Sequence, residues 1–334
     1  MSKTFIIAEI AQAHEGSLGI AHSYIDALAN CGVDAVKFQT HIAAAESSDA
    51  EQFRVNFSYE DNTRYDYWKR MEFTPEQWAG LKQHCEEKGL EFISSPFSIA
   101  AVDLLEKLKV KRYKIGSGEL SNYLMLHKIA QTGKPIILSS GMSDWKELDE
   151  TITFLKPFGN HLSLLQCTTA YPTPPKQWGL SAIEEMKERY QIPVGYSDHS
   201  ADIYACLAAK TLGASILEFH VVFDHQMFGP DAKASLTIEQ VKHLVQGVRK
   251  IETALQHTHL KNDASGFDTL KTMFGKSLAV NKNLPAGHIL SLDDLESKKP
   301  SNQGIPAKDF QSVIGKQLKQ DLKQWSFLRE EDLY

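Results

Sequence analysis

The stretch Phe5-Ile6-Ile7-Ala8-Glu9-Ile10, residues 5–10, is apolar apart from one glutamate near its end. Short β-rich runs of this kind recur along the first 255 residues, and amphipathic stretches of helical length separate most of them. Strands that are apolar throughout and are each followed by a helix are typical of a parallel sheet buried on both faces. Eight such strands in about 250 residues favour a TIM (β/α)8 barrel over an open sheet. The predicted strands are 5–10, 35–39, 91–95, 112–115, 135–139, 162–167, 194–197 and 216–221.

The helical patterns between the predicted strands complete the α/β alternation. They include 75–88, 100–108, 145–155, 181–190, 204–212 and 237–255. The segment 41–74, between the second and third strands, is long, polar and rich in aromatic residues. Long insertions after a strand often cover a site, so we expect this one to do so.

The chain of 334 residues divides into three segments by pattern. We predict a barrel domain at 1–255, a polar linker at 256–276 and a small turn-rich domain at 277–334. Within the last segment, 284–295 weakly resembles 322–333, which predicts two similar halves packed about a pseudo-twofold axis. A segment of about 60 residues is marginally stable alone, so we expect it to pack on a barrel, its own or a partner's.

Charge and cysteine content exclude several classes of function. Lys and Arg total 36 against 42 Asp and Glu, a net charge of −6, which argues against a nucleic-acid partner. The four cysteines are widely spaced and form no CxxC pair, as expected for reduced thiols in a cytoplasmic protein. The N-terminal sequence lacks the features of a signal peptide, and no apolar run is long enough to span a membrane.

Polar residues gather at the ends of the predicted strands, where a buried strand should be apolar. In a closed parallel barrel all carboxyl ends of the strands meet on one face, where TIM-barrel active sites lie. The sequence therefore predicts a site with two lysines, several hydroxyl groups, carboxylates and two histidines. The candidates at strand ends are Glu9, Lys37, Gln39, Ser95, Lys114, Ser117, Glu119, Ser139, Thr169, Ser197, His199 and His220.

Lys37 and Lys114 lie within strands that should be buried. A buried ammonium group is costly unless an anion offsets it, so two of them predict either a doubly anionic ligand or internal ion pairs. The internal partners considered are Glu9 and Glu119.

His199 and His220 end neighbouring strands. Two adjacent imidazoles could hold a divalent metal that keeps water or substrate oxygens as further ligands, and the alternative is two structural histidines. Four other histidines, and the histidines of the linker, lack such placement, and we expect them at the surface or in loops. The four are His14, His41, His84 and His127.

Nine stretches together resemble the sialic acid synthase family, the phosphoenolpyruvate-condensing synthases of nine-carbon α-keto acids. They cover all eight predicted strands in order, and the segment 277–334 resembles the antifreeze-like domain (β-clip type) of that family. The stretches are AEIAQAHEGSLG (8–19), VKFQTH (36–41), FISSPFS (92–98), YKIGSGE (113–119), GKPIILSSGM (133–142), QCTTAYPTP (166–174), GYSDHS (195–200), ILEFH (216–220) and GPD (229–231).

The resemblance implies a carbon–carbon bond-forming transferase. Phosphoenolpyruvate and an N-acetylated amino sugar would give a nonulosonic acid and inorganic phosphate. N-acetylmannosamine or a related diacetamido-hexose is the implied acceptor. The implied cofactor is a divalent metal held by His199 and His220, Mn²⁺ first, with Mg²⁺ or Co²⁺ as alternatives. A homodimer, in which a domain swap is one arrangement, is also implied.

The resemblance also implies roles for individual residues. Lys37, Lys114 and the strand-end serines Ser95, Ser117, Ser139 and Ser197 would hold phosphoenolpyruvate. Glu9 would act in proton transfer or cation stabilisation. The residues matching positions that contact the sugar are Glu119, Tyr171 and Asp231.

Three departures from the family pattern concern substrate contacts. Thr169 stands where an Asn that contacts phosphoenolpyruvate is usual, and Ala11-Gln12-Ala13-His14 replaces a Gly-Ile-Asn-His type of motif. In the C-terminal domain Lys299 replaces an arginine that would reach the partner's substrate, and a lysine offers a point charge in place of a planar fork. These changes bear on the identity of the sugar more than on the reaction.

Two other functions remain open from the residues alone. One is a Schiff-base pyruvate aldolase that uses Lys37 or Lys114 as nucleophile. The other is a sugar-binding protein without catalysis.

Overall fold

The computed structural model describes residues 3–53, 55, 57–257 and 261–334. The chain forms two compact units, Met1–Gln256 and His257–Tyr334.

Eight parallel strands build the first unit. The strands are β1 (Phe5–Ala11), β2 (Ala35–Thr40), β3 (Glu91–Pro96), β4 (Tyr113–Ile115), β5 (Ile136–Ser139), β6 (Leu162–Cys167), β7 (Val194–Asp198) and β8 (Ile216–Val222). They pair in the order β3-β2-β1-β8-β7-β6-β5-β4, and β3 and β4 pack side by side, so the sheet closes nearly into a barrel. This arrangement confirms the predicted (β/α)8 barrel.

Helices follow the strands. The predicted helix at 75–88 begins at Pro75, because Thr74 and Gln77 cap it reciprocally. Four helices were not among those predicted: α1 (Leu18–Ala29), α2 (Ala43–Glu46), α3 (Arg64–Met71) and α6 (Tyr123–Ala130). A short strand β9 (Leu236–Thr237) pairs with β8. The helices of this unit are α1 (Leu18–Ala29), α2 (Ala43–Glu46), α3 (Arg64–Met71), α4 (Pro75–Glu87), α5 (Ile99–Lys107), α6 (Tyr123–Ala130), α7 (Trp145–Leu155), α8 (Ala182–Tyr190), α9 (Tyr204–Thr211) and α10 (Ile238–Gln256).

A buried apolar layer fills the barrel interior below the site. One cluster joins side chains from six different strands, which is a geometry that only the inside of a barrel allows. Because strand side chains alternate, the residue two positions later on each strand points the same way, one layer higher. The apolar layer is Ile7, Ala35, Ile93, Ile137, Leu165 and Ile216. The layer above it is therefore Glu9, Lys37, Ser95, Ser139, Cys167 and Glu218.

The second unit has the internal repeat that the sequence predicts. Leu284 and Leu322, which are equivalent in the two halves, exchange backbone hydrogen bonds of 2.8 and 2.9 Å. The backbone bond from Asn281 to Asp294 recurs from Lys319 to Asp332 in the other half. These reciprocal bonds place a pseudo-twofold axis between the halves.

The rest of the second unit is short secondary structure around a small core. Strands β10 (Ser277–Val280) and β11 (Leu295–Lys298) pair antiparallel. The segment predicted as a linker contains α11 (Asp268–Phe274), while its residues 258–260 lie outside the described ones. No helix in the described ranges is long and apolar enough to cross a bilayer.

Candidate active site

A cavity of about 330 Å³ opens at the carboxyl ends of the barrel strands. Most of the predicted site residues line it, so the barrel brings together side chains that are far apart in sequence. Glu119 and Lys299 are not among the lining residues, and Lys299 belongs to the second unit. The predicted residues that line the cavity are Glu9, Lys37, Gln39, Ser95, Lys114, Ser117, Ser139, Thr169, Tyr171, Ser197, His199, His220 and Asp231.

Two buried lysines and two buried carboxylates form the floor of the cavity. Lys37 Nζ is in contact with the Glu9 carboxylate and lies 3.8 Å from Glu218 Oε1. Lys114 Nζ lies 3.1 Å from the same Glu218 oxygen. Lys37 also donates a hydrogen bond to Ser95 Oγ (3.3 Å). The internal ion pairs left open by the sequence are therefore present.

The partner of Lys114 is Glu218, and the considered partner Glu119 is wrong for this role. Glu119 instead accepts a hydrogen bond from Asn122 Nδ2 (2.8 Å), because it lies in a 3₁₀ turn after β4. Glu218 was not among the predicted site residues. Its spacing in the sequence could have identified it, because Glu218 lies two residues after the apolar-layer residue Ile216, as Glu9 does after Ile7.

The ion pairs and the burial shift the pKa values of these groups in opposite directions. Burial, together with the charge of Lys114, lowers the pKa of Lys37 to about 7 although Glu218 opposes the shift. Burial alone would raise the pKa of Glu218, but Lys114 and Lys37 lower it to about 2. At neutral pH Glu218 is therefore a carboxylate.

Three buried polar atoms at this floor have no hydrogen-bond partner among the described residues. They are Glu9 Oε1, Glu218 Oε2 and Ser139 Oγ. A buried polar atom left unpaired is costly, and in native proteins it calls for a partner. Because all three residues line the cavity, a polar ligand there would satisfy them.

The two predicted histidines lie side by side at the cavity. Their ring centroids are 5.1 Å apart, and the Tyr171 ring is 4.2 Å from that of His199. His199 Nδ1 donates to the backbone carbonyl of Thr168 (2.9 Å), which leaves the lone pair on Nε2. His220 Nδ1 lies 3.8 Å from Asp231 Oδ2.

This donor set fits a divalent cation that takes imidazole nitrogens and completes its coordination with oxygens from water or substrate. Within the described ranges, no group of three or more His, Cys, Asp or Glu side chains forms a protein metal site. The fit therefore depends on two imidazoles together with ligands from outside the protein.

Two of the four histidines expected at the surface or in loops, His14 and His41, lie in loops and are buried there. His14 packs 4.8 Å from the Phe73 ring, and burial lowers its pKa to about 3. His41 lines the cavity. His127 is exposed on α6, and His84 is part-buried on α4.

The insertion 41–74 contributes to the cavity wall, as expected. Its helices α2 and α3 follow β2, and Arg64 and Trp68 of α3 line the cavity. Val55 and Phe57, from the segment between the two helices, line it as well. The order of the insertion in the sequence, directly after Lys37 and Gln39, explains why it lies over this edge of the barrel.

Fold and site together define a (β/α)8-barrel protein whose cavity at the carboxyl ends of the strands is lined by buried charged residues and two histidines, as in an active site. The chain belongs to the NeuB family, whose model matches residues 24–260, and a SAF domain follows at 275–333. The resemblance drawn from the strand-end motifs and the small C-terminal domain is confirmed.

Named relatives are synthases of sugar acids. The chain is 34% identical over 336 residues to the N,N'-diacetyllegionaminic acid synthase of Campylobacter jejuni. The match covers 99% of this chain and 100% of that protein. The chain is 33% identical to the human N-acetylneuraminate-9-phosphate synthase, over 94% of this chain and 88% of that protein. The crystal structure of the N-acetylneuraminic acid synthetase of Leptospira borgpetersenii, in complex with citrate, matches with a TM-score of 0.72 and 30% identity, over 81% of this chain and 91% of that one.

These relatives support the predicted enzyme class. The family assignment confirms that the chain is an enzyme of the nonulosonic acid synthase type. The relatives are named for different products, so their names do not select one sugar for this chain.

Proposed function

We propose that the protein condenses phosphoenolpyruvate with an N-acetylated amino sugar to give a nonulosonic acid and inorganic phosphate. The observation that carries the proposal is the buried floor of Lys37, Lys114, Glu9 and Glu218 beside the His199–His220 pair. Family membership supports the same reaction.

Phosphoenolpyruvate carries a phosphate and a carboxylate, and the floor offers matching groups. Lys37 and Lys114 supply the two ammonium groups, and Ser95, Ser139 and Ser197 supply hydroxyl donors within the same layer or on the adjacent strand. Glu9 and Glu218 hold the two lysines in place. Thr169 lines the cavity and would add a hydroxyl contact.

In the proposed reaction the methylene carbon of phosphoenolpyruvate attacks the aldehyde carbon of the open-chain sugar. The carbon–carbon bond forms as the C=C and C=O π bonds break, and the aldehyde oxygen takes a proton to become a hydroxyl group. Positive charge develops at the oxygen-bearing carbon, water adds there and loses a proton, and the carbon–oxygen bond to phosphate then breaks. Glu9 pairs in register with Lys37 on β2 and with His220 on β8, so it lies between the two substrates' proposed sites. Its carboxylate would stabilise the cation and take the water proton.

We propose that His199 and His220 hold a divalent metal. Mn²⁺ is the first choice, as the family resemblance implies, and Mg²⁺ and Co²⁺ are the alternatives. When bound, the metal would polarise the aldehyde oxygen as a Lewis acid. Tyr171 and Asp231, beside the same pair, would contact the sugar.

Phosphate release tests the proposal. We expect phosphate only when phosphoenolpyruvate and an N-acetylated hexosamine are both present, no turnover after chelation, and recovery on addition of Mn²⁺. Glu9→Gln should stop phosphate release while phosphoenolpyruvate still binds by calorimetry, and His220→Ala should lose Mn²⁺ binding. A chelated enzyme that runs at full rate would refute the metal role, and phosphate release from no sugar in a broad panel would refute the reaction.

One observation favours the Schiff-base aldolase as a second candidate. Burial lowers the pKa of Lys37 to about 7, which would make its amine a better nucleophile. The ion contact with Glu9 and the family assignment favour the synthase. Borohydride trapping separates the two, because only an aldolase would leave a reduced pyruvate adduct on Lys37 or Lys114.

We also propose a homodimer in the cytoplasm, with Lys299 near the partner's substrate if the C-terminal domain is swapped. Light scattering on the purified protein tests the dimer. A monomer at micromolar concentration would contradict it.

A further inference from the structure

Gln12 belongs to the motif Ala11-Gln12-Ala13-His14, which departs from the family pattern. The register of β1 shifts between Glu9 and Ala11, and Ala11 has a positive φ of 47°. Such an irregularity redirects the side chains that follow it. Gln12 lines the cavity and is nearly buried.

A chain of hydrogen bonds fixes the orientation of the Gln12 side chain. Glu46 Oε1 accepts from His41 Nδ1 (2.6 Å), so the proton lies on Nδ1 and Nε2 can accept. The amide nitrogen of Gln12 lies 3.0 Å from His41 Nε2 and also donates to Gln39 Oε1, and that oxygen lies 3.1 Å from the same His41 nitrogen. The Gln12 amide nitrogen, the Gln39 amide oxygen and His41 Nε2 therefore face one another.

The fixed orientation leaves one acceptor and one donor group towards the cavity. The acceptor is Gln12 Oε1, and the donor is the amide nitrogen of Gln39. Neither has a hydrogen-bond partner in the part of the chain that the structure describes, although both residues line the cavity. A secondary amide carries one N–H and one carbonyl, so it is the complement of this pair.

A column of stacked groups stands beside the two glutamines. The His41 ring stacks on Trp68 at 3.7 Å and on Phe97 at 4.5 Å between centroids. The Arg64 guanidinium lies 4.0 Å from the Trp68 centroid, on the face opposite His41, since one face cannot hold both groups at these distances. All four residues line the cavity, so they give it a flat, largely apolar wall.

The charges along this wall are already paired. Glu51 lies 3.4 Å from Arg64 Nε and accepts from Trp68 Nε1 (3.1 Å), and Glu46 is bonded to His41. Two carboxylates, one paired with the guanidinium and one bonded to His41, make the wall a poor place for an anionic substituent. A neutral, planar group with a small apolar end fits it better.

We propose that this wall, formed by Gln12, Gln39 and the Arg64–Trp68–His41–Phe97 column, binds an N-acyl group of the acceptor sugar. The amide exchanges hydrogen bonds with Gln12 and Gln39, and the acyl methyl packs on the column. His41 and Glu46 are positioning residues that hold the glutamine amides. The inference rests on the proposed function for the nature of the acceptor.

The test uses unreactive open-chain ligands, so it does not depend on turnover. Mannitol and the alditol of N-acetylmannosamine differ only by an N-acetyl group in place of a hydroxyl. Calorimetric titration into protein with phosphoenolpyruvate and Mn²⁺ should show tighter binding of the N-acetyl compound. Gln12→Met, of similar size, should reduce that preference by about tenfold, because the amide N–H loses its acceptor.

Gln83→Met, on the outer face of α4, is the matched control and should keep the full preference. Gln39→Met should reduce the preference as Gln12→Met does, while thermal stability and phosphoenolpyruvate affinity report on folding. The inference is overturned if wild-type protein does not prefer the N-acetyl compound, or if both cavity variants retain the preference. Phosphate release by the wild-type enzyme judges the reaction separately, whatever this titration gives.

Discussion

Glu218 is a buried carboxylate in contact with two buried ammonium groups. Its Oε1 accepts from Ser197 Oγ (3.2 Å) and faces both Lys37 and Lys114, so it neutralises two charges that are almost fully buried. Removing one member of a buried charge cluster leaves the others uncompensated, which costs more than the pair contributes. The site's stability and its charge pattern therefore depend on the same residue.

Glu218→Gln tests this dependence. We expect the free energy of unfolding to fall by about 3 kcal/mol, since Lys114 loses its carboxylate partner in the interior. Urea denaturation followed by circular dichroism measures the change. Glu239→Gln, which breaks a 3.6 Å pair with Lys242 on the exposed side of α10, should leave stability unchanged. Equal effects of the two substitutions would contradict the argument.

Strand β7 carries a glycine in the apolar layer of the barrel. Gly195 precedes Ser197 by two residues, and a Cβ added there would overlap the backbone oxygen of Ile216 and lie 2.6 Å from Leu165 Cδ2. The neighbouring strands thus fill the space that a side chain would take. The glycine is required by packing, because its φ is not in the left-handed region.

Gly195→Ala should lower the free energy of unfolding by about 1–3 kcal/mol, because strand backbone cannot move aside as a flexible side chain can. Gly80→Ala is the matched substitution in α4, where an added Cβ meets nothing within 4 Å. It should raise stability by about 1 kcal/mol, since alanine is the better helix former. Urea midpoints compare the two, and a neutral Gly195→Ala would refute the packing argument.

The turn before β11 is held by a buried carboxylate. Asp294 accepts from the backbone and hydroxyl of Ser291 (2.9 and 2.8 Å) and from His288 Nε2 (2.9 Å), and it pairs with Lys282 (2.7 Å). Burial alone would raise its pKa, but the bonds from His288, Lys282 and Ser291 hold the pKa of Asp294 well below its ordinary 3.8.

Asp294→Asn should therefore lower stability by about 1 kcal/mol at neutral pH. A depressed carboxyl pKa stabilises the folded state above the unfolded value of 3.8, and the contribution is lost as the pH falls below it. The difference between wild type and variant, measured by urea denaturation from pH 7 to pH 3, should shrink at the acid end. Asp309→Asn, at an exposed position, should show no such difference at any pH.

At the scale of the whole molecule, the chain combines a barrel that contains the cavity with a unit built from two equivalent halves. The barrel contains the lysines, the histidines and the glutamine wall. The second unit contains Lys299, whose predicted role towards a partner's substrate is a question about assembly.

A hybrid dimer tests that role. One chain would carry Glu9→Gln and the other Lys299→Ala, with two tags for purification of the mixed species. If each C-terminal domain serves the partner's barrel, one complete site remains and the hybrid should have about half the wild-type phosphate release. If the domain serves its own barrel, neither site is complete, and activity no higher than that of the single variants would contradict the swap.

The amino-acid sequence alone was enough to place the eight strands within one or two residues. A buried parallel strand has to be apolar up to its end, so Glu9, Lys37 and His220 stand out wherever they interrupt such a run. The site at the carboxyl ends follows from the same pattern, because all strands of a parallel barrel point one way.

Contacts between residues that are far apart in the sequence could be found only from the closed barrel. Lys114 pairs with Glu218 and His41 stacks between Trp68 and Phe97, and these contacts join segments that no local pattern connects. Spacing along a strand gives the direction of a side chain, but which strand end or insertion meets it across the mouth depends on how the sheet closes and where the loops fold. For this reason the charged floor was foreseen, whereas the pairing of Glu218 with both lysines and the wall of Gln12 and His41 emerged only from the three-dimensional arrangement.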